Sequence, residues 1–72
     1  MTVKEKLNLL EELLIIEKNT LDENAELGSI NEWDSMAAIS TIAMFDSVFG
    51  KELKSEEIKR FKTVKDILDQ ME

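Results

Sequence analysis

Ser35 is the residue of this chain best placed to take part in chemistry. It stands in Glu32-Trp33-Asp34-Ser35-Met36, between an acidic stretch and an apolar run in which Ile39, Ile42, Phe45 and Phe49 recur at helical spacing. Nothing in the chain can make that serine a nucleophile. The sequence has no histidine, cysteine or tyrosine, so neither an internal base nor a thiol supports covalent catalysis. The expectation is that the chain is not an enzyme and that Ser35 is itself modified. Asp34 has the form of a helix N-cap, accepting from amides near Ala37. The free N–H groups and positive dipole end of the helix that follows would stabilise an anion carried by Ser35.

The elements that must hold this junction are helical. Thr2-Val3-Lys4-Glu5 has the form of a capping box. Behind it Val3, Leu7, Leu10 and Leu14 form one stripe, widened by Leu13 and Ile16, which predicts a core-facing helix to about Lys18 with Glu11, Glu12 and Glu17 on its wet side. From Asn19 to Trp33 polar and small residues break the pattern. A loop of that length is uncommon unless it is functional or held down, so Leu21, Leu27, Ile30 and Trp33 are expected to pin it to the bundle. A second helix starts at Asp34 or Ser35, runs to Phe49 and stops at Gly50, a natural left-handed cap. Ser55 is expected to cap a short turn through Glu56, Glu57 and Ile58. Thr63-Val64-Lys65-Asp66 opens a last helix with Val64, Ile67, Leu68 and Met71 inward. No strand alternation or repeat occurs. The expected fold is all-α: residues 1–72 form one domain, a small bundle of three main helices plus one short helix, with a long first loop.

Composition narrows the function classes. Seventy-two residues supply a marginal core, and without cysteine there is no disulfide to reinforce it. The lack of cysteine and histidine also removes the usual zinc ligands. The loop residues Asp22, Glu23, Asn24 and Glu26 lack the alternating spacing and central glycine of a calcium loop, so no metal site is expected. The formal net charge is −7, and residues 19–49 hold six acids and no basic residue. Such a patch repels nucleic acid and anionic membranes and steers basic protein surfaces toward Ser35. The run Lys59, Arg60 and Lys62 is balanced by Glu56 and Glu57 and reads as a solvated face. No apolar run approaches the length of a membrane span, and no basic-then-apolar leader opens the chain. A cytoplasmic monomer is the expectation.

The triplet Asp34-Ser35-Met36, supported by Gly50 and the closing Thr63-Val64-Lys65-Asp66-Ile67, resembles the acyl carrier protein family. The resemblance extends over essentially the whole chain, in helix order, length and acidity. It implies that Ser35 receives 4'-phosphopantetheine from coenzyme A, and that Asp34 helps a phosphopantetheinyl transferase place its magnesium ion and the serine. The arm would provide the thiol that the chain lacks. The implied fold is the four-helix acyl-carrier bundle, which shelters acyl chains between helices. Met36 and Ile39 are expected mainly in the core, with such a cavity as their second role. Trp33 is expected to anchor the loop, beside any docking partner.

One departure bears on partners. Fatty-acid carriers display several acids along the second helix, whereas here the face through Ala37, Ser40, Ala43, Met44 and Ser47 carries no charge. The form Trp33-Asp34-Ser35-Met36 is similar to specialised carriers of amino acids or unusual acyl groups, loaded by an acyl- or aminoacyl-activating ligase and read by dedicated biosynthetic enzymes. Two other readings remain at this point: a housekeeping carrier for fatty acid biosynthesis, and an unmodified acidic helical adaptor in which Ser35 only caps a helix. All three share the crowding of acids in 19–49, which predicts that added salt raises the melting temperature. Thermal scans across a sodium chloride series check this, and a melting temperature insensitive to ionic strength would contradict it.

Overall fold

The computed structural model describes residues 1–71. Four helices follow one another: α1 (Val3–Leu14), α2 (Ser35–Phe49), α3 (Ser55–Arg60) and α4 (Val64–Gln70), with a single 3-10 turn at Leu27–Ser29. The small all-α bundle expected from the pattern is present. Leu10, Phe45, Val64 and Ile67 are fully buried, so α1, α2 and α4 each drive an apolar residue into one core. Leu53 and Ile58 bring α3 and the segment before it onto the same core. Val64, Ile67, Leu68 and Met71 are all buried, as the last stripe predicts.

Local capping sets the helix ends. Thr2 Oγ1 accepts from the Glu5 N–H at 3.2 Å, and the Glu5 carboxylate accepts from the Thr2 N–H at 2.9 Å, completing the capping box. Gly50 takes the left-handed conformation at φ 61° and ends α2. The Asp66 carboxylate accepts from the Lys62 and Thr63 N–H groups at 2.8 and 3.1 Å and so starts α4. Ser55 is not a cap but the first residue of α3; the N-cap is Lys54, whose N–H donates to the Glu57 carboxylate at 3.3 Å. The N3 glutamate bonding backward makes this start, so a serine hydroxyl is not required.

The largest departure from the sequence pattern is at α1. The helix stops at Leu14, not near Lys18, and Ile15 caps it at φ 59°, ψ 47°. Glu11, expected on the wet face, is 1% exposed. Its carboxylate accepts from the N–H groups of Asn19, Thr20 and Leu21 at 3.0, 2.9 and 2.8 Å. Those bonds require the chain to double back directly after α1. A left-handed β-branched residue costs about 1–2 kcal/mol, and charge-assisted bonds of this kind, each about twice a neutral one, outweigh that. Val3 also departs from the inward stripe, at 50% exposure, because it sits in the first turn beyond the edge of the core.

The rest of the loop is fixed by backbone pairing with the α3–α4 junction. The Leu27 N–H donates to the Lys62 carbonyl at 2.8 Å, Val64 N–H to Ala25 at 3.0 Å, and Lys65 N–H to Glu23 at 2.8 Å. Leu27 is buried, while Leu21, Ile30 and Trp33 pack half-buried against the core, so the expected pinning holds.

Burial alone would raise the Glu11 pKa, but the three N–H donors together hold it below its ordinary value of 4.5. A carboxyl depressed in the folded state contributes stability that is fully present above the unfolded value and is lost as pH falls through the folded one. Glu11→Ala leaves three amides without their acceptor and is expected to cost about 2–4 kcal/mol. The exposed neighbour Glu12→Ala should change stability by less than about 0.5 kcal/mol. Chemical denaturation checks both. Repeating it below pH 4.5 should show the parent losing stability more steeply than Glu11→Gln.

Candidate functional site

Asp34 is extended at φ −130° and its carboxylate accepts from the Ala37 N–H at 2.9 Å, while the Ala38 N–H donates to its carbonyl at 3.0 Å. Ser35 is therefore the first helical residue of α2, and it is exposed. At this position the backbone N–H groups of Ser35 and Met36 have no intrahelical acceptor and point out of the helix end. The approach is tied to the bundle: Trp33 N–H donates to the Ile30 carbonyl at 3.0 Å, and the half-buried indole packs against the core. Behind the site, buried Thr41 closes its hydroxyl onto the Ala37 carbonyl at 2.8 Å, so the first turns of α2 bury no unpaired polar group.

An open groove of about 210 Å³ begins at Ser35 and is lined by Ala38, Ile39 and Ile42 from α2 and by Ser55, Ile58 and Lys59 from α3. A second cleft of about 330 Å³ shares Ile39 and Ile42 and continues past Ala43 to Asp46, Glu52 and Leu53. A third, of about 390 Å³, lies between the end of α1 and the start of α2, with Ile15, Glu32, Asp34, Met36 and Ser40 among its walls. Larger clefts run along α1, the largest about 540 Å³ between Met1 and Lys18, but none includes Ser35. The Ser35 groove sets an exposed serine hydroxyl among aliphatic walls, with Lys59 on the α3 side.

Two of the residues expected on an uncharged partner face turn inward. Ala37 and Met44 are 8% and 9% exposed and belong to the core, whereas Ser40, Ala43 and Ser47 are exposed. In the opposite sense, Met36 and Ile39, expected mainly in the core, are 70% and 61% exposed. Both corrections have one origin: α2 is apolar on nearly every side, so periodicity cannot say which side meets the bundle. The outward face of α2 is thus Met36, Ile39, Ser40, Ala43 and Ser47. Lys59 was legible only as part of a basic run; its place beside Ser35 depends on the packing of α3 against α2.

No group of acids among the described residues is arranged to hold a metal ion. No helix of the described residues is long and apolar enough to cross a membrane. No protein-family model, curated protein or solved structure matches the chain.

The cap and the hydroxyl are separable. Asp34→Ala removes the acceptor for the Ala37 N–H and should destabilise the fold by about 1 kcal/mol, while Asp34→Asn should restore most of it. Urea denaturation of the three chains reads the difference, and equal stability in all of them would deny Asp34 its capping role.

Proposed function

We propose that this chain is a phosphopantetheine-dependent carrier protein whose attachment site is Ser35, and that it presents thioester-bound acyl or aminoacyl groups to biosynthetic enzymes of a dedicated pathway. The observation that carries the reading is the position of Ser35: exposed, first in α2, and opening onto an apolar groove with a lysine on its far wall. The resemblance of Asp34-Ser35-Met36 to the acyl carrier proteins supports it from the sequence side.

The residues fit the group. A phosphodiester on Ser35 gains from the unpaired N–H groups and the dipole of α2, and Lys59 offers a cation across the groove. Attachment forms the Ser35 Oγ–P bond and breaks the pyrophosphate P–O bond of coenzyme A. The adenosine 3',5'-bisphosphate half leaves with the electron pair. The hydroxyl proton passes to a base on the transferase, since this chain has no histidine to take it. Once bound, the arm supplies the terminal thiol on which cargo is carried. Everything else falls to this chain's own structure: Asp34 fixes the start of α2, Trp33 immobilises the loop before it, and the groove shelters what is attached.

The partners implied are a phosphopantetheinyl transferase, a ligase that loads acyl or aminoacyl groups, and the enzymes that consume them. A cytoplasmic setting supplies the coenzyme A. The acidic surface around Ser35 suits docking sites that are basic at the rim. The exposed Met36 offers an apolar contact beside the attachment site.

Incubating the pure protein with coenzyme A, magnesium and a broad-specificity phosphopantetheinyl transferase tests the reading by intact mass. The expected result is a gain of one phosphopantetheine on the parent chain and none on Ser35→Ala, with both chains helical. No gain on the parent, while a control carrier is modified, would favour the adaptor in which Ser35 is only a helical residue.

A further inference from the structure

Ile15 is the most exposed large apolar side chain among the described residues, at 90%, and its backbone is left-handed at φ 59°. Both conditions are unfavourable for a β-branched residue. The reversal that brings Asn19, Thr20 and Leu21 to the Glu11 carboxylate needs a left-handed residue here, and the Ile15 N–H donates to the Glu12 carbonyl at 3.2 Å as the chain turns. It does not need an isoleucine. A glycine makes such a bend without a Cβ in the way, as Gly50 does at the end of α2. The backbone at Ile15 therefore serves the fold, while the side chain is held in solvent at a cost that no contact within the chain offsets.

That side chain lines the cleft of about 390 Å³ between the end of α1 and the start of α2. Met36, 70% exposed, lines the same cleft, together with the exposed residues Glu32 and Asp34. Ser35 sits between Asp34 and Met36 in the chain, so whatever is seated in the cleft has the serine at its edge. Charge decides what can be seated there. Residues 19–49 hold six acids and no basic residue. A second copy of this chain would therefore bring like charge against Glu32 and Asp34, and an anionic membrane would do the same. A protein surface with lysine or arginine around an apolar side chain complements both the carboxylates and the two aliphatic walls.

Resting on the carrier reading, we infer that Ile15 and Met36 are the apolar contacts of a docking cleft for the enzyme that modifies Ser35, and that this enzyme sets an apolar side chain against them and lysine or arginine against Glu32 and Asp34. Covering Ile15 returns on association the burial that the isolated chain forgoes. An enzyme docked on α2 alone would meet Met36 and its helical neighbours. The bend that ends α1 adds a side chain from a second element, so the docked enzyme reads the turn after α1 as well as the helix that carries the serine.

Phosphopantetheinyl transfer to the full chain, followed by intact mass with coenzyme A, magnesium and a broad-specificity transferase, tests this. Ile15→Gly should raise KM for the protein about tenfold, the value of one lost aliphatic contact, with kcat near that of the parent. Ile15→Leu keeps an apolar contact and should stay within about twofold of the parent. Met36→Ala should raise KM as well, and Glu32→Gln should raise it at low salt while flattening its dependence on sodium chloride. Val3→Ser removes another exposed apolar side chain, at the far end of α1, and should leave KM unchanged. Ile15→Gly should melt no lower than the parent, because glycine accepts the left-handed backbone without strain. An unchanged KM in Ile15→Gly, or a lower melting temperature, overturns the inference and leaves the carrier reading standing. A parent chain that sediments as a dimer, with Ile15→Gly a monomer, gives the cleft to a second copy and overturns it too. No mass gain on the parent, while a control carrier is modified, overturns both.

Discussion

The last turn of α1 carries a buried carboxylate, that of Glu11, which takes three backbone N–H groups from the loop beyond the helix. Much of the rest of the structure follows from this bracket. The Glu11 carboxylate can reach Asn19, Thr20 and Leu21 only if the chain reverses immediately, which is why Ile15 takes a left-handed conformation that it would not adopt unaided. With the loop folded back, Leu21 and Leu27 come down on the core and residues 23–27 run beside the α3–α4 junction. The backbone bonds made there satisfy groups that an unstructured loop would leave to water. What remains of the loop is short, and Trp33 fixes it, so α2 begins at one defined place with Ser35 outermost.

That chain of constraints matters for a small protein. A core of this size offers little stability to spare, and neither disulfide nor tightly bound metal is expected to supplement it. An ordered loop of twenty residues is expensive in conformational entropy, and a single ionised side chain with several donors is an economical way to hold one. The acids that remain on the loop surface are then free to shape the field around Ser35. Ser35, one wall of the groove it opens onto, and the exposed Met36 are all presented by one helix whose start is fixed from behind.

The sequence was most legible where structure is decided by near neighbours. Thr2 with Glu5, Asp34 before the apolar run, Gly50 after it, and Asp66 behind Thr63 each act within one turn, and each sits where its spacing predicts. Ser35 was legible for the same reason. Glu11 was not, because its partners are backbone amides eight to ten residues away, which leave no trace in side-chain pattern. On spacing alone it is one more acid on the wet side of a stripe. The faces of α2 were obscure for another reason: with Ala37, Ile39, Met44 and Val48 spread around the helix, only the positions of α1 and α3 decide which are covered. The groove at Ser35 depends on that same packing, so the meeting of Ser35 and Lys59 on one groove is a property of the fold.

The central claim is that Ser35 carries a phosphopantetheine arm, and the most direct measurement is made on protein recovered from the cells that produce it. Trypsin releases the segment 19–51 intact, because no lysine or arginine lies between Lys18 and Lys51. Tandem mass spectrometry of that peptide should find the arm, eject it as a characteristic fragment, and assign it to Ser35 rather than to Ser29, Ser40 or Ser47. A peptide bearing no arm, from cells whose other carriers are fully modified, would contradict the account.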